Sequence, residues 1–132
     1  MDRFDDEIES LLQSVVGAAI EVHRLLGPGH PERVYSSALA REMLLRDIPF
    51  EQEYPYAVIY KQEAVGEGRL DFWVGGRLVV EIKATDGLSD AHVSQVVAYL
   101  SQMREPLGLL LNFNVSVLKN GGIRRVILSK SR

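Results

Sequence analysis

Apolar side chains recur along this chain with two different periods, and the change from one to the other divides it into elements. Ile8, Leu11, Leu12, Val15, Ala19, Val22 and Leu26 fall on one face of a 3.6-residue repeat and predict an amphipathic helix over residues 4–26. Gly27-Pro28-Gly29 ends it, since glycine suits the left-handed cap position and proline cannot continue a helix. A second helix starts at Pro31 and runs to about Arg46, before Ile48-Pro49 breaks it. Residues 50–60 read as a strand, with Pro55 pointing to an edge position or to a strand that begins after it. A turn over residues 61–64 leads into a hairpin between Gly68 and Ala84. Ser89 or Asp90 then caps a third helix whose apolar stripe is Val93, Val96, Val97 and Leu100. Pro106 ends that helix region, 107–113 is a continuous apolar run of the buried-strand type, and a last strand spans 123–128 after Asn120-Gly121-Gly122. The order α-α-β-β-β-α-β-β predicts an antiparallel meander, a helical crossover and a mixed α/β sheet covered by helices.

The hairpin register follows from the same pattern. A two-residue turn at Gly75-Gly76 would pair Leu70 with Glu81 and place an acid on the apolar face. A three-residue loop, Gly75 to Arg77, or an equivalent bulge, pairs Val74 with Leu78, Phe72 with Val80 and Leu70 with Ile82. The opposite face then sets Asp71 across from Glu81 and Arg69 across from Lys83. Opposed carboxylates repel unless something lies between them. A magnesium ion, which takes oxygen ligands, would relieve the pair, and a lysine beside it could orient a water or stabilise charge on a phosphate. The same four residues could instead form an ion-pair ladder on a solvated sheet face.

Glu32 lies in the first turn of the second helix, where the helix dipole favours an acid. It shares a face with Tyr35 and Leu39, so the pattern also directs it toward a polar site. His92, Gln95 and Tyr99 occupy a stripe beside the apolar face of the third helix. His23 reads as a surface or packing residue, because no metal-type residue follows it at i+4.

Composition narrows the class. The 132 residues suit one domain, 46% hydrophobic and 25% charged, as in a soluble globular protein. Without cysteine there is no disulfide framework and no thiolate metal site. No apolar run is long enough to span a bilayer, and the acidic start is unlike a signal peptide, so a cytoplasmic protein is expected. The net charge of -3 does not advertise nucleic-acid binding, yet Lys119, Arg124, Arg125, Lys130 and Arg132 leave residues 106–132 with no acid at all. Such a basic edge can attract phosphate.

An acid on a helix before the sheet, D…E-x-K on a hairpin and Q-x-x-x-Y on the following helix occur here in fixed order. The combination resembles the PD-(D/E)XK nuclease superfamily. Gly29-His-Pro-Glu32-Arg-Val-Tyr35 also matches the G-x-x-E-x-x-Y signature of the GxxExxY family, and the resemblance extends over about residues 15–128. It implies a restriction-endonuclease-like αβββαβ core with an extra N-terminal helix. It implies that Glu32, Asp71, Glu81 and the Ile82 carbonyl are metal ligands, and that Lys83 is the lysine of the E-x-K element. Gln95 and Tyr99 match the Q-x-x-x-Y motif of the RecB-like branch, where those residues contact the substrate strand. Tyr35, Lys119, Arg124 and Arg125 are further candidates for contact with nucleic acid. Asp71 follows Arg69-Leu70 with no proline before it, which departs from the family pattern. The activity implied is magnesium-dependent hydrolysis of phosphodiester bonds, with manganese as substitute, acting on DNA without strong sequence specificity. The competing expectation is an inactive nuclease fold that binds nucleic acid or a protein partner. A homodimer could build the groove that so small a chain lacks.

Overall fold

The computed structural model describes residues 6–128. The elements are α1 (Asp6–Leu26), α2 (Glu32–Leu45), β1 (Phe50–Tyr60), β2 (Glu63–Val74), β3 (Leu78–Lys83), α3 (Asp90–Met103), β4 (Leu107–Asn112) and β5 (Ile123–Ile127). The five strands form one sheet in the order β1-β2-β3-β4-β5. β3 and β4 are parallel, joined by the α3 crossover, and every other neighbouring pair is antiparallel. Among the described residues no helix is long and apolar enough to cross a membrane. The expected basic residues Lys130 and Arg132 lie outside the described residues, as do the acids Asp2 and Asp5.

Each face of the sheet has its own core. The helical stripe Ile8, Leu12, Val15, Ala19 and Val22 packs with Tyr35, Leu39 and Met43 onto Phe72, Val74, Leu78, Val80, Ile82, Leu109 and Leu111. On the other face, Val96, Tyr99 and Leu100 of α3 cover Leu70, Trp73, Val79, Leu110 and Val126. β3 and β4 are buried from end to end apart from Lys83 at the rim, so they sit at the centre of the sandwich. Gly108 permits the close seating of α3, because a Cβ there would meet Val96 Cγ1 at 3.1 Å and Leu100 Cδ2 at 3.2 Å.

The β2–β3 turn spans Gly75, Gly76 and Arg77, with Val74 paired to Leu78 and Phe72 to Val80. Both glycines lie in the left-handed region, at φ 60° and 69°, where a β-carbon is costly. Strict alternation fails at Leu70. That residue packs with Trp73 and Val79 in the α3-side core rather than opposite Ile82 on the other face. The regular pairing stops after Phe72–Val80, and the Asp71 side chain takes a place that a backbone carbonyl would fill in a continuous ladder. Alternation is interrupted there, and on the neighbouring strand Glu53 adopts φ 56°.

Tyr35 is completely buried, and this corrects its expected role in contacting substrate. Its ring stacks on Phe113 at 4.7 Å, its hydroxyl donates to the Gly27 carbonyl, and it accepts the His30 N–H. The G-x-x-E-x-x-Y tyrosine therefore ties the α1–α2 loop to the sheet and sets where α2 begins. His23 joins the same cluster, with Nε2 2.7 Å from the Val115 carbonyl and the ring beside Phe113. Removing the hydroxyl with Tyr35→Phe leaves two backbone groups short of a partner and is expected to cost about 1–2 kcal/mol in urea denaturation. Phe113→Ala, which opens a core cavity under the same loop, is expected to cost about 3–5 kcal/mol.

Candidate active site

The two acids of the hairpin face α3 at the point where β2 and β3 separate. Their carboxylates interlock with the opposite strand. Asp71 Oδ2 accepts the Ile82 N–H at 2.7 Å, and Glu81 Oε1 lies 3.4 Å from the Asp71 nitrogen. The apolar pairs Phe72–Val80 and Val74–Leu78 below them hold the register, so the like charges cannot slide apart. Glu81 is only 4% exposed.

Burial and repulsion act together on this pair. Burial is the larger cause of the rise in Glu81, and the Asp71 charge adds to it, carrying the carboxyl from 4.5 to about 8. Asp71 rises from 3.8 to about 6, chiefly through burial, although the hydrogen bond from Ile82 pulls it down. The charge of Glu32 raises both acids and that of Lys83 lowers both. Lys83 lies two residues beyond Glu81 on the same face of β3, half-buried at the end of the strand.

Glu32 is less intimate with the pair than its sequence position suggests. It is exposed, as the first residue of α2, while Tyr35 one turn later is buried. Its charge registers at Asp71 and Glu81, but among the described residues no group of three His, Cys, Asp or Glu side chains is close enough to hold a metal ion. The expected three-carboxylate cluster is thus not formed: the helix end brings Glu32 to the vicinity and leaves its side chain in solvent. Two adjacent carboxylates remain, which is the number magnesium commonly takes from a protein. Burial raises both, the Asp71 charge raises Glu81 further, and the donor chemistry suits a hard divalent cation.

The other candidates divide between the two faces. Tyr99 projects from α3 to the carboxylate side; burial and the Glu81 charge push its hydroxyl upward. Gln95, one turn earlier, is exposed. Ser89 caps α3, and His92 reciprocates by accepting the Ser89 N–H at Nδ1, so His92 serves the helix end. Register places Glu81, Leu110 and Arg124 in one row across β3, β4 and β5, which puts Arg124 on the α3 face. Arg125 faces the other way and is committed to Glu9 of α1 through two contacts of 3.0 and 2.7 Å. Lys119 lines a cleft with Ile20, His23 and Gly27 on the α1 side. Arg125 and Lys119 are therefore not beside the carboxylates, because consecutive strand residues alternate faces and the β4–β5 loop leans toward α1.

Three neighbours were not anticipated from the motifs. Glu53 of β1 adds its charge to the rise in Asp71. Tyr56 of β1 meets Tyr99 edge-on at 5.5 Å and feels Glu81. Asn112, 1% exposed at the end of β4, accepts the Thr85 and Asn114 N–H groups and donates to the Thr85 carbonyl, which fastens the loop after Lys83. Alternation along Tyr54-x-Tyr56 was the available signal for Tyr56; the others needed the sheet order.

A family model described as the PD-(D/E)XK nuclease superfamily matches residues 9–126. The chain belongs to this superfamily. No curated protein and no solved structure matches it. Membership accounts for the mixed sheet with helices on both faces, and for D…E-x-K at the place where β2 and β3 part.

The raised carboxyls make stability fall with pH. The folded acids retain protons that the unfolded chain releases, so the contribution of Glu81 is fully present below about 4.5 and is lost as pH rises toward about 8, and that of Asp71 is lost between 3.8 and about 6. Thermal melts without divalent ions should show a declining midpoint across that window. Glu81→Gln should flatten the decline; an unchanged slope in that variant would mean that Glu81 is not the group responsible.

Proposed function

We propose that this protein is a metal-dependent nuclease that hydrolyses phosphodiester bonds in DNA, with magnesium as cofactor and manganese as substitute. The observation that carries the reading is the Asp71–Glu81 pair, two acids joined across the gap between β2 and β3, with Glu81 buried and raised by burial and by the Asp71 charge, and with Lys83 on the same strand face in a chain of the nuclease superfamily. Asp71, Glu81 and the Ile82 carbonyl are the residues that would hold the ion. Bound there, it would supply a polarised phosphoryl oxygen and a water of lowered pKa.

The protein's own groups have distinct tasks in this reading. Glu81 gives up its proton to become a ligand, which its burial opposes until positive charge arrives. Lys83 orients the attacking water and offsets charge on the phosphate. Glu32 acts from further off, through water, as the acid of the Gly29-to-Tyr35 signature shared with the GxxExxY family. Tyr99 and Gln95 contact the substrate strand, in line with the RecB-like Q-x-x-x-Y pattern, and Arg124 offers a cation to a flanking phosphate on the same face. No sequence-reading element such as a helix-turn-helix accompanies them among the described residues, which supports cleavage without strong sequence preference.

Incubation with single- and double-stranded DNA, linear and circular, in magnesium or manganese tests the reading. Wild type is expected to cut at least one substrate, Asp71→Asn and Glu81→Gln to fall to background, and Lys83→Ala to slow cleavage about 10²- to 10⁴-fold. A melting midpoint that rises with metal while all substrates stay intact would favour a binding module on the nuclease fold. The absence of both cleavage and a metal-induced rise would remove the nuclease reading.

A further inference from the structure

Tyr56 stands in a notch that the β1–β2 hairpin has to make for it. It is paired across the hairpin with Gly68. Its ring lies over that glycine so closely that a Cβ would sit 2.6 Å from the hydroxyl oxygen, 2.7 Å from Cζ and 2.8 Å from Cε1. These distances are far inside ordinary contact, so a side chain at residue 68 would drive the ring off β2. From the other side, Tyr99 of α3 meets the ring at 5.5 Å with the planes 72° apart. The ring is thus confined, and its hydroxyl has no hydrogen-bond partner among the described residues. Among the described residues no buried side-chain oxygen lacks a partner, so that hydroxyl is open to solvent. It packs with Tyr99 in the cluster under α3, the sheet face to which Glu81 also turns through its register with Leu110, and the Glu81 charge reaches the phenol.

A residue kept only for packing would need no hydroxyl here, because phenylalanine fills the same notch. Base stacking is an unsuitable role, since Gly68 occupies one side of the ring and Tyr99 adjoins it. What remains is an O–H donor on the sheet face of a site whose two acids disfavour any anion other than one accompanied by a cation. A phosphate oxygen of a metal-bound strand is the acceptor that fits. We propose that Tyr56 contacts the substrate of this site, its phenol donating a hydrogen bond to a phosphate oxygen of the strand being cut, and that Gly68 is the positioning residue that lets it reach. The inference rests on the nuclease reading above and extends it to a strand that carries none of the signature residues.

The test is steady-state cleavage of whichever DNA substrate wild type cuts, with kcat, KM and melting midpoint measured for each variant. Tyr56→Phe keeps the ring and is expected to lower kcat about tenfold or more, as loss of a hydrogen bond to a charged group does, with the melting midpoint unchanged. Gly68→Ala displaces the ring and should produce a similar loss. Adding Gly68→Ala to Tyr56→Phe should then cost little more, because both act through one hydroxyl. Tyr56→Phe at the wild-type kcat, while Asp71→Asn is inactive, overturns this inference and leaves the nuclease reading intact. Full additivity of the two substitutions likewise overturns the positioning role of Gly68. Wild type that cuts no substrate overturns both readings together.

Discussion

The fold turns on a pair of exchanges across one gap between strands. Where β2 and β3 would continue their ladder, the Asp71 carboxylate takes the Ile82 N–H, and the Glu81 carboxylate approaches the Asp71 nitrogen. Each acid thereby stands in for a peptide carbonyl. The substitution satisfies backbone donors that would otherwise be buried unpaired, and it sets two like charges side by side under α3. That arrangement is costly: burial raises both carboxyls, and the Asp71 charge raises Glu81 further. It survives because the apolar pairs just before it fix the register, and because β3 is locked against β4 by a regular parallel ladder.

The rest of the scaffold positions groups around that gap. The Tyr35–Phe113–His23 cluster anchors the α1–α2 loop and so fixes the start of α2, from which the charge of Glu32 reaches the acids. Gly108 lets α3 settle closely enough for Tyr99 to overlook the pair. Asn112 fastens the backbone that follows Lys83. Among the described residues Lys83 is the one cation that registers at both acids.

Much of this was legible in the sequence because the information is local. Helical periodicity located α1, and the apolar face of the hairpin selected the Gly75-to-Arg77 loop over a two-residue turn. Punctuation by proline and glycine bounded the other elements. The departures have separate physical causes. Leu70 was assigned by strict alternation, and alternation fails where a side chain enters the ladder. Tyr35 and Glu32 were given one environment because they sit one turn apart, but the first turn of α2 runs from solvent into the core. Arg124 and Arg125 were grouped as neighbours in sequence, although a strand sends them to opposite faces. Tyr56 and Glu53 carry no motif; alternation puts Tyr56 on one face with Tyr54, and the pairing of β1 with β2 brings Tyr56 and Glu53 to the site.

The central claim is that Glu81 holds a proton in the free protein because Asp71 and burial press on it, and that a cation displaces this proton. Calorimetric titration with manganese near neutral pH, repeated in buffers of different ionisation enthalpy, counts the protons released on binding. The account predicts release approaching about one proton per ion from wild type, and much less from Glu81→Gln. Binding with no proton release, or with the same release from both proteins, would contradict it.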